Sequence, residues 1–230
     1  MRPAPLLPAL HRVHMPVMEQ TSRLYADLQQ RRPDDAAWTR LYDSFVARLA
    51  TLKAGHRAPR PGTAFPDLHL PDHVGRYRSL ASIRAGQPMI VSFVRGNWCA
   101  YCRGELEDWR QQIDSLDAAG GRLVIIVGEI SGGADRIHDL LGGKALVLCD
   151  VDHGAALDLG LAYHAGPDLL LRYLDAGLDL RDVYGTDSGI LPIPATFLID
   201  GAGLVRTAHV DPDFRVRARP EEQVAALARL

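Results

Sequence analysis

A strand that runs directly into a Trp-Cys-Ala-Tyr-Cys segment constrains this chain more than any other feature. The apolar run at 89–93 predicts a buried strand, and the mixed polar and apolar residues 105–116 predict a helix. Cys99 and Cys102 therefore fall where the strand ends and the helix begins. Unpaired N–H groups and the positive end of the helix dipole meet at such a point, and both stabilise a thiolate.

The spacing of the two cysteines suits reversible disulfide chemistry, because residues three apart lie about one turn apart on one helix face. Arg95 and Arg103 flank the pair and favour its ionised form. Two structural thiols, or half of a zinc site, are the alternatives. Zinc would need a second pair of ligands, and the only other cysteine, Cys149, stands alone. The residues favour a redox pair, and we expect neither a metal nor a cofactor.

Composition and charge restrict which binding partners and which cellular compartment we expect for this protein. The chain has 230 residues, of which 47% are hydrophobic and 23% charged, as in an ordinary globular protein with one sizeable core. A net charge of -2 predicts no nucleic-acid or membrane-surface partner. No apolar run is long enough to span a bilayer, and residues 1–17 make a poor signal peptide. We therefore expect a cytoplasmic protein, in which a Cys-x-x-Cys pair is more often catalytic than structural.

Two parts are predicted along the chain, an N-terminal helical extension over 1–54 and a second domain over 55–230, which begins in a linker rich in proline, glycine and arginine. The extension contains a predicted helix at 18–30 and another after Arg31-Arg32-Pro33. The second helix carries an apolar stripe at steps of three and four residues, namely Trp38, Leu41, Tyr42, Phe45, Leu49 and Leu52. We expect this stripe to pack on the domain's own surface, with a homodimer contact as the alternative.

Strands and helices alternate in the second domain. The predicted strands are 65–72, 88–93, 122–127, 145–148, 196–200 and 204–207. The predicted helices are 80–84, 105–116, 135–141, 154–159, 168–174 and 220–230. This order is typical of an α/β fold with a central mixed sheet flanked by helices and closed by a terminal hairpin.

Five segments together resemble one family. They are residues 58–72, 93–102, 148–154, 194–200 and 210–214. In this order they resemble the peroxiredoxin-like branch of the thioredoxin superfamily, which groups alkyl hydroperoxide reductases with thiol-specific antioxidant proteins. The resemblance covers about residue 55 to the C-terminus. It implies a thioredoxin-like fold, a hydroperoxide substrate and a thioredoxin-like protein as the reductant.

The chain departs from that family at the site itself. Aligned on the family pattern Pro-x-x-x-Thr-x-x-Cys, Arg95 takes the proline position, Cys99 the threonine position and Cys102 the position of the peroxide-attacking cysteine. Pro194 stands where peroxiredoxins have an arginine. Trp98 before the first cysteine, and a proline before a late strand, are instead similar to thioredoxin-like reductases. The chain looks like a hybrid of the two.

The resemblance therefore leaves two nucleophiles and three functions open. Likeness to thioredoxin makes Cys99 the attacking thiol and Cys102 the resolving one, whereas likeness to peroxiredoxins makes Cys102 the attacking thiol. The position at the start of the helix favours Cys99, because it is nearer the positive end of the dipole and more exposed. The function is reduction of hydroperoxides, reduction of protein disulfides, or non-enzymatic redox sensing.

Four further residues are expected to support the site. Trp98 is expected to pack beside the sulfurs and to form part of a partner-docking surface, with plain core packing as the alternative. Glu105 lies near the helix start, where a carboxylate suits the dipole. Pro194 directly precedes the buried strand that carries Thr196. We predict a cis Ile193–Pro194 bond that aims the backbone of Ile193 at the sulfurs and leaves its N–H and C=O free for a protein partner.

Overall fold

The computed structural model describes residues 36–130 and 132–230, so the helix predicted at 18–30 lies outside the described residues. The helices are α1 (Ala36–Thr51), α2 (Leu80–Arg84), α3 (Ala100–Ala118), α4 (Gly133–Leu140), α5 (Gly154–Asp158), α6 (Pro167–Asp175), α7 (Leu180–Tyr184) and α8 (Pro220–Leu227). The strands are β1 (His69–Pro71), β2 (Tyr77–Ser79), β3 (Met89–Val94), β4 (Arg122–Val127), β5 (Leu146–Cys149), β6 (Ala162–His164), β7 (Ile190–Pro192), β8 (Ala195–Ile199) and β9 (Val205–Val210). Within the two described ranges, no helix combines the length and apolar character needed to cross a membrane.

A five-stranded sheet in the order β5-β4-β3-β8-β9 forms the centre of the molecule. Strands β3, β4 and β5 are parallel, while β8 runs antiparallel to β3 and β9 antiparallel to β8. Every residue of β3 is buried, because this strand lies in the middle of the sheet with both faces covered. The predicted α/β class with a central mixed sheet flanked by helices is confirmed.

Helices cover both faces of this sheet. On one face, α3 buries a stripe with helical spacing, namely Leu106, Trp109, Ile113 and Leu116. A second cluster on the other face joins Leu80 and Ile83 of α2 to Phe93 and Phe197 of the sheet. Because β3 is held on both faces, the residues that follow it start from a fixed position.

The apolar stripe of α1 packs on the chain itself. Phe45 and Leu49 are buried and belong to the same core cluster as α3. The ring of Trp38 lies 5.5 Å from that of Tyr173, and the ring of Tyr42 lies 5.0 Å from that of Phe214. The expected packing of this stripe within the chain is therefore observed for all its members except Leu52, which is exposed. Helix α1 thus shares its core with the domain predicted to begin at residue 55.

The predicted and observed elements differ mainly at their ends. The strand predicted at 65–72 forms ladder pairs only over His69–Pro71, in a run that contains prolines with no N–H to donate. The helix after the cysteines begins at Ala100 and not at residue 105, and the last helix ends at Leu227. Elements β2, β6, β7 and α7 were not predicted, because at three to five residues they are too short to show a period.

The packing of α1 predicts a contrast between two leucines near its end. Leu49 is 0% exposed and Leu52 is 57% exposed. Leu49→Ala should lower the free energy of unfolding by about 2–5 kcal/mol, since it leaves a cavity in the core. Leu52→Ala should change it by less than about 0.5 kcal/mol. Urea denaturation of both variants measures the difference, and equal small effects would show that α1 does not share this core in solution.

Candidate active site

The loop between β3 and α3 is fixed by a buried carboxylate. The backbone N–H of Asn97 donates to Glu129 Oε2 at 2.6 Å. Gly96 has φ +141°, and a Cβ added there would lie 2.7 Å from the same Glu129 oxygen, so this position requires glycine. Cys99 is the N-cap of α3, with φ -86° and ψ 119°. Glu129 therefore determines where the first cysteine meets the helix.

Neither thiol of the pair forms a disulfide, and both are buried. Cys99 is 4% exposed and Cys102 is 0% exposed. Cys99 is therefore the more exposed of the two, as expected, but only by a small margin. The Cys102 thiol hydrogen-bonds to the sulfur of Cys99. Cys102 Sγ also accepts the backbone N–H of Arg95 at 3.3 Å and Nη2 of Arg217 at 3.4 Å. The pair is thus assembled in its reduced form, with N–H donors directed at the inner sulfur.

The two thiols differ in acidity. Burial alone would raise the pKa of Cys99, but the hydrogen bond with Cys102 and the charges of Arg217 and Arg95 lower it to about 5. Burial and the neighbouring Cys99 hold the pKa of Cys102 well above that of a free thiol. Two thiolates in contact would repel each other, so only one forms at neutral pH. The electrostatics of the pair therefore favour ionisation at Cys99.

Arg217 connects the inner cysteine to a buried carboxylate. Its Nη1 forms an ion pair with Glu105, while its Nη2 faces Cys102 Sγ. Glu105 Oε1 accepts the hydroxyl of Ser92 at 2.8 Å, and the Thr196 hydroxyl lies 3.1 Å from that of Ser92. Glu105 and Thr196, both expected to support the site, are thus brought into one network with Cys102. In this network Glu105 is the ion-pair partner of Arg217, in addition to lying near the start of the helix.

Sequence reasoning missed Arg217. It lies 115 residues from Cys102 in the chain, after the last strand of the sheet. The family arginine position is taken by Pro194, and no periodicity or motif identifies another arginine as its replacement. The guanidinium that the alignment lacks is supplied by a different segment, and only tertiary contacts reveal it.

Arg95 places a second guanidinium inside the protein. The residue is 1% exposed, and its Nε donates to the carbonyl of Pro192 at 3.3 Å. Its guanidinium carbon lies 3.8 Å from the ring centroid of Phe214 and 5.6 Å from that of Phe45. Within the described part of the chain, Nη1 and Nη2 have no hydrogen-bond partner. The expected effect of Arg95 on the thiolate therefore acts through charge.

Trp98 is a core residue in this conformation. It is 4% exposed, and its Nε1 donates to the Tyr184 hydroxyl at 2.9 Å, which in turn donates to the carbonyl of Arg95 at 2.6 Å. Its ring meets the ring of Tyr173 edge-on at 5.5 Å. This geometry favours the alternative of core packing, because almost none of the Trp98 surface is available to a docking partner.

The structure contradicts one prediction about the segment around Pro194. The N–H of Ile193 donates to the carbonyl of Leu161 at 2.5 Å, and Ile193 is 1% exposed. The prediction that this N–H is free for a protein partner is wrong, because the loop is paired internally. The segment still touches the site, since the carbonyl of Pro192 accepts a hydrogen bond from Arg95.

The third cysteine is separate from this network. Cys149 ends β5, is half-buried, and lies 3.9 Å from the carbonyl of Asp72. Burial raises its pKa, which makes it a poor nucleophile. Over residues 36–130 and 132–230, no three side chains of His, Cys, Asp or Glu are grouped in a way that could hold a metal ion.

A mixed sheet whose central strand leads into a cysteine-bearing helix defines a thioredoxin-like protein with thiol chemistry. A model of the AhpC/TSA family matches residues 61–208, well over half of the chain. The chain belongs to the AhpC/TSA family, which confirms the resemblance drawn from its motifs, and it is a peroxiredoxin-like thiol peroxidase. The matched residues end before Phe214 and Arg217 and begin after α1, so these parts of the site lie outside the family match.

Solved structures share the fold. Peroxidoxin BcpB from Mycobacterium tuberculosis is 17% identical, with a TM-score of 0.57, and the match covers 75% of this chain and 98% of that one. Reduced Prx3 from Vibrio vulnificus, determined in complex with H2O2, is 18% identical with a TM-score of 0.57 and coverages of 73% and 97%. Peroxiredoxin Q from Xanthomonas campestris is 18% identical with a TM-score of 0.52 and coverages of 70% and 89%. At these identities the likeness shows the fold alone.

The charge of Arg217 predicts how Cys99 reacts at low pH. With the pKa of Cys99 at about 5, its alkylation by iodoacetamide should already be close to its maximal rate at pH 7. Arg217→Met removes a positive charge that stabilises the thiolate, so the midpoint should rise toward the value of about 8.5 of a free thiol. The rate at Cys99, followed by mass spectrometry between pH 4 and pH 9, measures this midpoint.

The matched control is Arg219→Gln. Arg219 lies two residues further on, and its side chain pairs with Glu221 and Glu222 at the surface. This substitution should leave the midpoint of Cys99 unchanged. An Arg217→Met midpoint equal to that of the unchanged protein would remove Arg217 from the site.

Proposed function

We propose that this peroxidase reduces hydroperoxides through a Cys99–Cys102 disulfide, which a thioredoxin-type dithiol protein then reduces. The observation that carries the proposal is the contact of two buried thiols beside Arg217, whose Nη2 lies 3.4 Å from Cys102 Sγ. The hydrogen bond with Cys102 and the charges of Arg217 and Arg95 lower the pKa of Cys99 to about 5, although burial opposes this shift. A buried thiolate in hydrogen-bond contact with a second thiol combines a nucleophile and a resolving group in one place.

In the first step, the Cys99 thiolate attacks one oxygen of the O–O bond. The S–O bond forms, the O–O bond breaks, and the sulfur takes the oxygen as a sulfenic acid while the alkoxide leaves. The Cys102 thiol supplies the proton that converts the alkoxide to an alcohol. It can do so because its pKa is held well above that of its neighbour, chiefly by burial and then by Cys99 itself. Proton transfer therefore leaves Cys102 as the second thiolate.

In the second step, Cys102 attacks the sulfur of the Cys99 sulfenic acid. The S–S bond forms, and hydroxide leaves and is protonated to water. Arg217 serves this step, since its Nη2 lies 3.4 Å from Cys102 Sγ and a charge-assisted hydrogen bond stabilises the transient thiolate. Glu105 holds Arg217 by its other nitrogen, Nη1. Together the two steps convert one hydroperoxide and two thiols into an alcohol, water and a disulfide.

The third step restores the thiols. A thiolate of the external dithiol protein attacks one sulfur of the disulfide, and its second thiol resolves the mixed disulfide, so two electrons pass to the pair. Cys99, as the outer residue of the two, is the sulfur that we assign to this attack. The dithiol protein is released with its own two thiols joined in a disulfide.

Reduction of client disulfides is the second candidate. It draws on Trp98-Cys99 and on a proline just before β8, both of which resemble thioredoxin-like reductases. Two observations weigh against it. The N–H of Ile193 is bound to Leu161, and Trp98 is buried, so neither is available to an extended client chain. Hydroperoxide reduction therefore stands first.

The order of the cysteines predicts different products in two variants. Cys102→Ser, treated with one equivalent of H2O2, should accumulate a sulfenic acid at Cys99, because no resolving thiol is present. Cys99→Ser should lose at least about 90% of the peroxide reaction rate, because the remaining thiol is the weaker acid. Trapping with dimedone and peptide mass spectrometry identify the oxidised residue.

The unchanged protein supplies the reference. After one equivalent of H2O2 it should show a Cys99–Cys102 disulfide by peptide mass spectrometry, and thioredoxin with its reductase and NADPH should sustain turnover. Sulfenic acid at Cys102 in the Cys99→Ser variant, formed at the rate of the unchanged protein, would reverse the assignment of the nucleophile. Free thiols after peroxide treatment would contradict the proposed function itself.

A further inference from the structure

His153 is a buried imidazole that the steps above do not use. It is 1% exposed, and among the residues that the structure describes its Nε2 has no hydrogen-bond partner. Burial lowers its pKa to about 4, although the charge of Asp152 opposes this shift, so the ring is neutral at pH 7. A buried polar atom without a partner is destabilising, so the reason for keeping this ring inside the protein must be sought in what it contacts.

The backbone that carries His153 is strained. A short turn, Val151–His153, connects β5 to α5. Within it, Asp152 has φ +59° and His153 has φ +57°, a left-handed conformation that residues other than glycine rarely adopt. The carboxylate of Asp150 holds the turn, because it accepts the backbone N–H groups of Ala155 and Ala156 at 2.8 and 2.9 Å. Such strain persists only where surrounding contacts enforce it, and here it accompanies an imidazole that is turned into the protein.

The imidazole packs between the end of β4 and α7. A Cβ added at Gly128, directly after β4, would lie 2.2 Å from His153 Cε1, so the ring occupies the space that a side chain there would need. The imidazole also meets the ring of Tyr184 nearly edge-on, with centroids 4.7 Å apart and an interplanar angle of 73°. Tyr184 is itself 3% exposed. Its ring therefore has little freedom to shift while His153 is in place.

Tyr184 connects this packing to the inner sulfur. Its hydroxyl donates to the carbonyl of Arg95 at 2.6 Å and accepts Nε1 of Trp98 at 2.9 Å. Burial holds the pKa of this hydroxyl well above its usual value, so it keeps the proton that it donates. The backbone N–H of Arg95 in turn donates to Cys102 Sγ at 3.3 Å. A continuous series of contacts thus leads from His153 to the resolving thiol.

We propose that His153 is a positioning residue for the second step: through Tyr184 it keeps the N–H of Arg95 directed at the resolving sulfur. The inference rests on the proposed function, in which Cys102 attacks the sulfenic acid at Cys99. An N–H directed at a sulfur favours the thiolate, which is the form that attacks. The first step depends less on this donor, because there the attacking thiolate is that of Cys99.

Single-turnover kinetics separate the two steps. The reduced protein is mixed with an excess of H2O2 and quenched with acid at successive times, and mass spectrometry then quantifies the sulfenic acid and the disulfide. His153→Asn removes the ring but tolerates the left-handed backbone. It should form the sulfenic acid within about twofold of the unchanged rate and the disulfide at least about tenfold more slowly, because the donor is misplaced. His153→Gly, which relieves the backbone strain, replaces this variant if His153→Asn does not fold.

A double variant shows whether His153 acts through Tyr184. Tyr184→Phe keeps the ring and removes only the hydroxyl, so it should also slow the second step. His153→Asn/Tyr184→Phe should be no slower than Tyr184→Phe alone, because both substitutions interrupt the same series of contacts. In all three variants the pH midpoint of the second step should lie above that of the unchanged protein, since the Cys102 thiolate has lost a donor.

Leu159→Ala is the matched control for lost stability. Leu159 follows α5, is 6% exposed and belongs to the core cluster on the other face of the sheet from α3. This variant should lower the free energy of unfolding, and it should leave both rates and the pH midpoint of the second step as they are in the unchanged protein.

The possible failures are distinct. A second step of unchanged rate in His153→Asn overturns the inference, and so does a double variant in which the two effects multiply. A loss in Leu159→Ala as large as that in His153→Asn also overturns it, because both losses would then follow from stability. Absence of the disulfide in the unchanged protein contradicts the proposed function, and the second step with it.

Discussion

The hydrogen bond between the Cys102 thiol and the sulfur of Cys99 is the interaction on which the site depends. Joined by the charges of Arg217 and then Arg95, it lowers the pKa of an almost fully buried thiol that burial alone would raise. The helix start contributes in the same direction, but a dipole effect is typically below about 1 kcal/mol at an exposed site. The acidity of Cys99 therefore depends on contacts that only the folded chain brings together.

The alignment drawn from the sequence leaves no arginine at the position where the family pattern has one. Pro194 occupies that position, while Arg217 approaches Cys102 from a segment beyond the matched residues. Glu105 pairs with Arg217 and anchors it to the start of α3, so the cation and the inner sulfur are fixed relative to one another. In this chain, a positive charge at the inner sulfur thus comes from a segment outside the family match.

Much of the fold followed from local patterns. The apolar runs that became β3, β4 and β8 are long and continuous, as buried strands are, and the stripe of α1 has a clear helical period. The hairpin of β8 and β9 followed from its glycine-containing turn. The short elements β6, β7 and α7 could not be predicted from local patterns, because they are stabilised by contacts with distant segments. Among them, Tyr184 of α7 secures the loop before Cys99 through the carbonyl of Arg95.

The sequence by itself determined the α/β class, the family, and the placement of two cysteines at the junction of a strand and a helix, because these depend on residues close together in the chain. The tertiary structure decided which charges surround the sulfurs. Arg217, Phe214 and α1 reach the site from more than 40 residues away on either side, and no local pattern encodes those approaches. It also decided that Ile193 and Trp98 are engaged internally, since hydrogen-bond partners such as Leu161 and Tyr184 are chosen by packing.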